Sequence, residues 1–336
     1  MKKVNINTNL IGKEEAFRVI MLCTSTQLPL LVIGTKGVAK TATVTDFAKS
    51  IDEENTSFII ELNEGTKVPQ LLGMPDIKKL MVDKEWQMLR PISQSKTVII
   101  NEVDKANSGI RNAMLSIMAE KKIFDGGEQV DCQWETFVAT ANEIPKGEET
   151  TPFFDRFVVK YNMPGINSNE ILAFMKDRSY KKVLELNMPT LEEVHAEAID
   201  YGNIKIMLEL ISNQKDLDMS NRSRTKLDIL VKAAKIIWEV SEVDAVVKIA
   251  ELVAPQIVPG LEQKLLPKEL SAFNTSYDNF KDDTSFAIKK QIIKELDAII
   301  IKMEGNRKIS PAQVTLCKNK YATLKDKFNA SLPVMQ

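Results

Sequence analysis

Residues 30–43 read LLVIGTKGVAKTAT, an unbroken apolar run, then a turn containing Gly34 and Gly37, then Lys40 and Thr41 opening a segment of helical pattern. Glycines between a buried strand and a helix let backbone N–H groups turn towards an anion, and the positive end of the helix favours negative charge there. Lys40 can reach the β and γ oxygens of a nucleotide, and Thr41 can ligate Mg²⁺. Gly34, Thr35, Lys36, Gly37, Val38, Ala39, Lys40, Thr41 and Ala42 are therefore the candidate phosphate cradle. Ala39 stands where the general pattern carries its later glycine.

Working outward, Glu14 to Cys23 has helical apolar spacing, Leu28 to Ile33 suits a buried strand and Thr41 to Ile51 a helix. Apolar runs recur at Ser57–Leu62, Thr97–Ile100, Thr136–Thr140 and Phe157–Tyr161, with helical segments such as Ser108–Glu120 between them. Strands alternating with helices predict an α/β fold with a parallel sheet.

Three further segments bear on chemistry. KTVIINEVDKAN, 96–107, ends an apolar strand with Asn101 and Glu102. A carboxylate at the C-terminal end of a strand can polarise water towards a γ-phosphate, which makes Glu102 the candidate general base. TFVATANEIP, 136–145, ends another buried strand at Asn142, which in a parallel sheet would lie beside Glu102 and orient the attacking water. TTPFFDRFVVKYNM, 150–163, sets Arg156 just before a further strand, where its guanidinium could serve a neighbouring subunit's γ-phosphate.

After Pro164 the spacing predicts helices only, at Asn169–Leu184, Thr190–Tyr201, Lys205–Ile211 and Arg222–Glu239. Beyond about residue 271, Ser285–Met303 and Pro311–Phe328 read as two long helices separated by GNRKIS, an antiparallel pair. The expected organisation is an α/β core over 1–165, a helical segment over 166–258 and a further helical region over 259–336.

Lys plus Arg number 45 against 46 Asp plus Glu, so no broad positive field marks the chain for nucleic acid. Cys23, Cys132 and Cys317 lie far apart and the chain has one histidine, which rules out zinc-ligand spacing and points to thiols in a reducing cytosol. The start lacks an apolar run of signal-peptide kind, and no stretch is long enough to span a bilayer. A cytoplasmic protein is expected. Trp86, Trp134 and Trp238 read as core or interface residues, and His195 as a surface one.

The order of these motifs resembles AAA+ ATPases, and their wording resembles the MoxR family in particular, over roughly residues 8–255. LIGKEEAFRVIMLCTSTQLPLLVIGTKGVAKT is similar to that family's opening, whose phosphate loop (the P-loop) carries the A-K-T ending, so Ala39 fits. The resemblance implies adenine contacts from Ile11 and Gly12, an insert after the second strand at NEGTKVPQLLGMPDI, and a Walker B segment at NEVDKANSGIRNAMLSIMAEKKI. It further implies sensor 1 at Asn142 and an arginine acting in trans at Arg156. MSNRSRTKLDILVKAAKIIW resembles the lid helix bearing the sensor 2 arginine, Arg222, or Arg224 in a slipped register. Asn63 sits where AAA+ proteins often carry a polar residue that restrains the catalytic glutamate.

What the resemblance implies is an AAA+ P-loop core followed by an α-helical lid and a C-terminal helical region. The implied ligands are ATP and Mg²⁺, the latter held through Thr41 and Asn101, in a homo-oligomeric ring, hexameric by family habit. A von Willebrand A-domain protein is the implied partner, remodelled in a chaperone-like way. One departure stands out: the acid expected before Glu102 is Asn101, whose amide oxygen can accept a hydrogen bond from a metal-bound water but brings no charge. A nucleic-acid motor and a weakly hydrolysing, nucleotide-switched scaffold are the alternatives.

Overall fold

In a computed structural model the apolar runs become strands of one parallel sheet, in a structure that describes residues 1–51, 56–125, 127–145, 151–165, 171–172, 175, 181–214, 217, 219–265, 272–274, 276–277, 279–280, 286–305 and 311–330. In chain order the strands are β1 (Lys2–Thr8), β2 (Leu30–Ile33), β3 (Ser57–Glu61), β4 (Met74–Pro75), β5 (Met88–Leu89) and β6 (Thr97–Asn101). They continue with β7 (Lys122–Asp125), β8 (Glu128–Asp131), β9 (Thr136–Ala141), β10 (Val159–Asn162) and β11 (Lys182–Met188).

The main sheet has five strands in the order β10-β2-β9-β6-β3, all paired in parallel. Every residue of β6 and β9 is buried, as is nearly all of β2, because helices cover both faces of a parallel sheet. That is why these strands read as unbroken apolar runs. The order places the carboxyl ends of β2, β9 and β6 side by side, the edge at which open α/β sheets take ligands.

The Ser108–Glu120 helix starts where the sequence predicts. Asn107 caps it by accepting from the Ile110 N–H at 3.0 Å. Its buried residues, Ile110, Met114, Ile117 and Met118, recur at helical spacing and join Val98, Ile100, Phe137 and Ala139 of the sheet in one core. Each such side chain stabilises the fold by about 1.5–3 kcal/mol relative to exposure. The Trp134 indole closes the core by donating to the Ile117 carbonyl at 3.1 Å.

Between β3 and β6 lies an insert in which β4 and β5 pair antiparallel around an Ile77–Val82 helix. Gly73, at φ 119, closes its base, and a Cβ there would sit 2.1 Å from the Leu89 carbonyl oxygen. Arg90, only 6% exposed, bonds the Leu72 carbonyl and pairs with Asp125 at 2.9 Å and Glu128 at 3.2 Å, fastening the insert to the β7–β8 hairpin. The insert presents Met74, Ile77, Met81, Val82, Trp86 and Leu89 to solvent.

The structure corrects the reading of the second half in three places. Strand β11, beyond Pro164, pairs antiparallel with β1, with Val4 opposite Leu186 and Ile6 opposite Leu184. The expected helix Asn169–Leu184 therefore ends before residue 182, and the rest of it lies mostly outside the described residues. Alternation buries Val4, Ile6 and Thr8 on one face of β1, a period-2 signal too short and too polar to register as an apolar run. The expected helix Thr190–Tyr201 is Leu191–Ala196, capped by Thr190 and Glu193, after which Asp200 starts a new helix, Tyr201–Ser212. Likewise Arg222–Glu239 is two helices, Asn221–Arg224 and Leu227–Trp238, parted at Thr225 and Lys226.

The chain divides into two compact units, Met1–Ile204 with Gln214–Pro255, and Lys205–Asn213 with Gln256–Gln336. In the second unit the helices Phe286–Gly305 and Pro311–Ala330 share a core that includes Leu296, Ile300, Met303, Cys317 and Leu324. Glu304, near the end of the first, pairs with Lys318, near the start of the other, as an antiparallel arrangement requires. The connecting residues 306–310 lie outside the described set. Among the described residues, no helix is long and apolar enough to cross a membrane.

Candidate nucleotide site

The turn from β2 into the Lys40–Ile51 helix is shaped by two residues in the left-handed region, Gly37 at φ 86 and Ala39 at φ 67. Gly37 has open space where a Cβ would project. Alanine is the residue with the smallest side chain that must bear the left-handed strain, a cost of about 1 kcal/mol. Residues 36–42 of this turn, with Glu102 and residues 140–142, line a cavity of about 340 Å³.

Side chains from the ends of adjacent strands meet there. The Lys40 ammonium donates to the Gly34 carbonyl at 2.6 Å, the Thr35 carbonyl at 3.2 Å and Asn142 Oδ1 at 3.1 Å. Asn101 Oδ1 accepts from two hydroxyls, Thr41 and Thr140, each at 3.1 Å. Those two bonds occupy both lone pairs of the amide oxygen, while the Thr41 hydroxyl, its proton directed at Asn101, keeps lone pairs for a cation. The Glu102 N–H donates to Thr140 Oγ1 at 3.3 Å, and Glu102 itself is left-handed at φ 55, which turns its side chain off the strand line.

Charged groups in the site act on one another. Burial pulls the Lys40 ammonium below its ordinary pKa, with Asp104 and Glu102 acting in the opposite direction. The Glu102 carboxyl is held below the usual carboxylate range, first by its hydrogen bond from Lys105 and further by the charges of Lys105, Lys36 and Lys40. Asn63, expected to restrain the glutamate, instead uses Oδ1 to accept from the Gly65 N–H at 2.9 Å. Lys105, three residues after Glu102, takes the restraining position.

Arg156 and Arg222 form a second group that does not line this cavity. The Asp155 carbonyl accepts from the Ser223 hydroxyl at 3.2 Å, and Asp155 Oδ1 accepts from the Ser220 N–H at 3.4 Å. The turn carrying Arg156 is thereby docked on the helix carrying Arg222. Burial, and then the charge of Arg222, pull the Arg156 pKa down, and Arg156 Nε is buried with no hydrogen-bond partner. Arg156 Nη1 donates to the Pro152 carbonyl at 3.4 Å. Arg224 directs Nε to the Met219 carbonyl at 3.0 Å, whereas Arg222 is exposed. Ile11 and Gly12 occupy the turn between β1 and the Glu14–Thr26 helix and are not among the residues lining the cavity.

The residues present fit a magnesium nucleotide. Lys40, Thr41 and the loop residues 36–39, with open space where a Cβ at Gly37 would project, line the cavity together with the Glu102 carboxylate. Among the described residues no group of three or more His, Cys, Asp or Glu could hold a metal ion.

A family model described as the MoxR domain of MoxR-vWA-beta-propeller ternary systems matches residues 2–200. The chain belongs to the MoxR family of AAA+ ATPases. Among curated proteins it is 23% identical to structural protein ORF618 of Acidianus two-tailed virus, over 92% of this chain and 56% of that one. It is 26% identical to a Methanocaldococcus jannaschii protein of no assigned function, over 68% of this chain and 63% of that one. The chain thus spans less than two thirds of either relative. Among solved structures, an inferred ATPase of Cytophaga hutchinsonii superposes with a TM-score of 0.60 at 17% identity, covering 76% of this chain and 90% of that chain, which shows the fold.

Membership of the MoxR family accounts for Ala39 in the loop but leaves Thr140, Asp104, Lys105 and Asp155 to the structure. A hydroxyl two residues before Asn142 carries no sequence signal of its own. Lys105 follows Glu102 at a helical interval, yet such pairs are common on solvated turns. Lys105→Ala is expected to raise the Glu102 pKa towards the ordinary carboxylate value, since the lysine bond is the largest influence lowering it. If Glu102 is the base of nucleotide hydrolysis, the acid limb of turnover then moves to higher pH, and at neutral pH kcat rises about threefold as its carboxylate is freed. A pH–rate profile checks both; an unmoved limb would show that Lys105 does not hold the base in solution.

Proposed function

We propose that the chain binds ATP with Mg²⁺ and hydrolyses it in a site completed by a neighbouring copy within a ring, and that the cycle remodels or assembles a protein partner. The observation that carries this reading is the hydrogen-bonded cluster of Lys40, Asn142, Thr41 and Asn101 around a cavity that Glu102 also lines. In this reading Lys40 and the loop amides hold the phosphates, and Glu102 takes the proton of the attacking water. Asn142 orients that water while held by Lys40. Thr41, bonded to Asn101, would hold Mg²⁺, which would supply charge to offset that developing on the phosphate oxygens.

Arg156 and Arg222 lie outside the cavity lining and share one docked unit, which supports delivery of the Arg156 guanidinium to another copy's nucleotide. Ile11 and Gly12 keep the adenine role that the family resemblance gives them. The helical segment 166–258 serves as the lid. The exposed apolar insert, Met74 to Leu89, supports a protein partner, since contiguous apolar surface of this kind is usually a docking surface. The matched model's description names von Willebrand A and β-propeller proteins, and the former is our choice of partner class. Three buried free cysteines suit a reducing cytoplasm.

A nucleotide-switched scaffold is the second reading, favoured by the uncharged Asn101, the tethered Glu102 and a viral relative named as a structural protein. Steady-state ATPase measured across protein concentration separates the two. A shared site predicts a rate per subunit that falls on dilution, and a rate independent of concentration would overturn it. Tight ATP binding without turnover, restored by Asn101→Asp, would establish the scaffold instead.

A further inference from the structure

The turn that carries Ile11 and Gly12 is followed at once by three residues that reach three separate parts of the second half of the chain. Gly12, at φ 69, ends the turn. The Lys13 ammonium, on a residue only 2% exposed, donates to the Pro164 carbonyl at 2.8 Å, just beyond β10. Glu14 accepts from Lys182 of β11 at 2.6 Å. Glu15 spends its two carboxylate oxygens on two different helices. Oε2 accepts from the indole of Trp238, the last residue of Leu227–Trp238, at 3.1 Å, and Oε1 pairs at 2.7 Å with Lys248 of the Glu242–Val253 helix. The Lys248 ammonium also lies 5.3 Å from the centre of the Trp238 ring, so carboxylate, indole and ammonium form one closed cluster.

Two properties set this cluster apart from the apolar packing around it. Glu15 and Lys248 are 41% and 28% exposed, so water can take over both charges when they part, and the contact opens at small cost. The Leu227–Trp238 helix is also held at its other end, where the short helix before it, carrying Arg222, is docked through Ser220 and Ser223 on Asp155. We propose that Glu15 is the latch of the lid: by binding Trp238 and Lys248 together it holds both helices on the core beside the Ile11–Gly12 turn, and so slows the release of bound nucleotide. Glu15 does not line the cavity and acts only through those helices, which makes it a positioning residue. Opening the latch frees the Trp238 end of the helix while the Arg222 end stays docked, a hinge movement about Asp155.

This inference rests on the nucleotide and lid readings above, and its test separates them. The full chain is labelled with 5-fluorotryptophan, its Trp238 resonance is assigned with Trp238→Phe, and release of the fluorescent analogue mant-ADP is followed by stopped flow. Wild type, Glu15→Gln, Lys248→Met and the double variant are compared. In both single variants the Trp238 resonance is expected to shift without nucleotide, while that of Trp134, buried in the core, stays in place and shows that the fold is kept. Each single variant is expected to release mant-ADP about fivefold faster, the upper range for a partly exposed pair. The double variant should be no faster than either, because partners in one contact do not add. An unmoved Trp238 resonance would overturn the latch, leaving the lid to apolar packing alone. A shifted resonance with unchanged release would overturn its control of exchange while leaving nucleotide binding intact, and additive effects in the double variant would show two independent contacts and overturn the single latch. A wild-type chain that bound no mant-ADP, with Trp238 still shifted in the variants, would overturn the nucleotide reading and with it the control of release, but not the contact.

Discussion

Glu102→Gln is expected to lower kcat for ATP roughly a thousandfold while nucleotide affinity changes less than about threefold, the scale on which a general base acts. Glutamine is isosteric, so the left-handed turn at residue 102 and the Thr140 hydrogen bond to its N–H both survive. What is lost is the charge that draws a proton from water. The same change removes the ion pair with Lys105, but that pair is partly exposed and contributes well under about 1 kcal/mol. A fall in rate therefore reports chemistry and not unfolding. Steady-state turnover with equilibrium ADP binding checks it; a variant retaining a tenth of wild-type kcat would remove Glu102 from the role of base.

Arg156→Ala is expected to reduce turnover by roughly 10³, in the range seen when an arginine is withdrawn from a phosphoryl-transfer site. The more informative result comes from mixing it with Glu102→Gln. If Arg156 serves a neighbour, an Arg156→Ala subunit still holds a working base and receives its arginine from a Glu102→Gln neighbour. The mixture should then exceed either variant alone by about tenfold or more, a gain possible only when the missing parts lie on different copies. A mixture no more active than its components would place Arg156 in its own subunit's site. Its docking through Asp155 on Ser220 and Ser223 makes a related point: whatever moves the Arg222 helix moves Arg156 with it.

The candidate site was legible to different depths. Gly34 to Ala42 could be read from residue types alone, because a phosphate loop depends on backbone amides and on one lysine, all within a single short segment. Glu102 and Asn142 were legible because each ends a buried strand, and a parallel sheet brings such ends to one edge. Arg156 could be nominated from its motif, but its pairing with Arg222 could not, since more than sixty residues separate the two segments that Asp155 joins.

Taken by itself, the sequence determined the α/β class, the five strands of the main sheet and the start of the helix after Glu102. Those features are written in local apolar periodicity and capping residues, which act over a few neighbours. The tertiary structure alone decided the β1–β11 pairing, the breaks at residues 197–200 and 225–226, and the fastening of the insert by Arg90. It also decided that Asn101 spends its oxygen on two threonines, that Lys105 rather than Asn63 bonds the Glu102 carboxylate, and that Asp104 is left with an unsatisfied buried oxygen. Each of these depends on partners distant in the chain or on which of several polar side chains wins a donor. Such a contest is settled by packing geometry and desolvation, and neither is encoded in spacing.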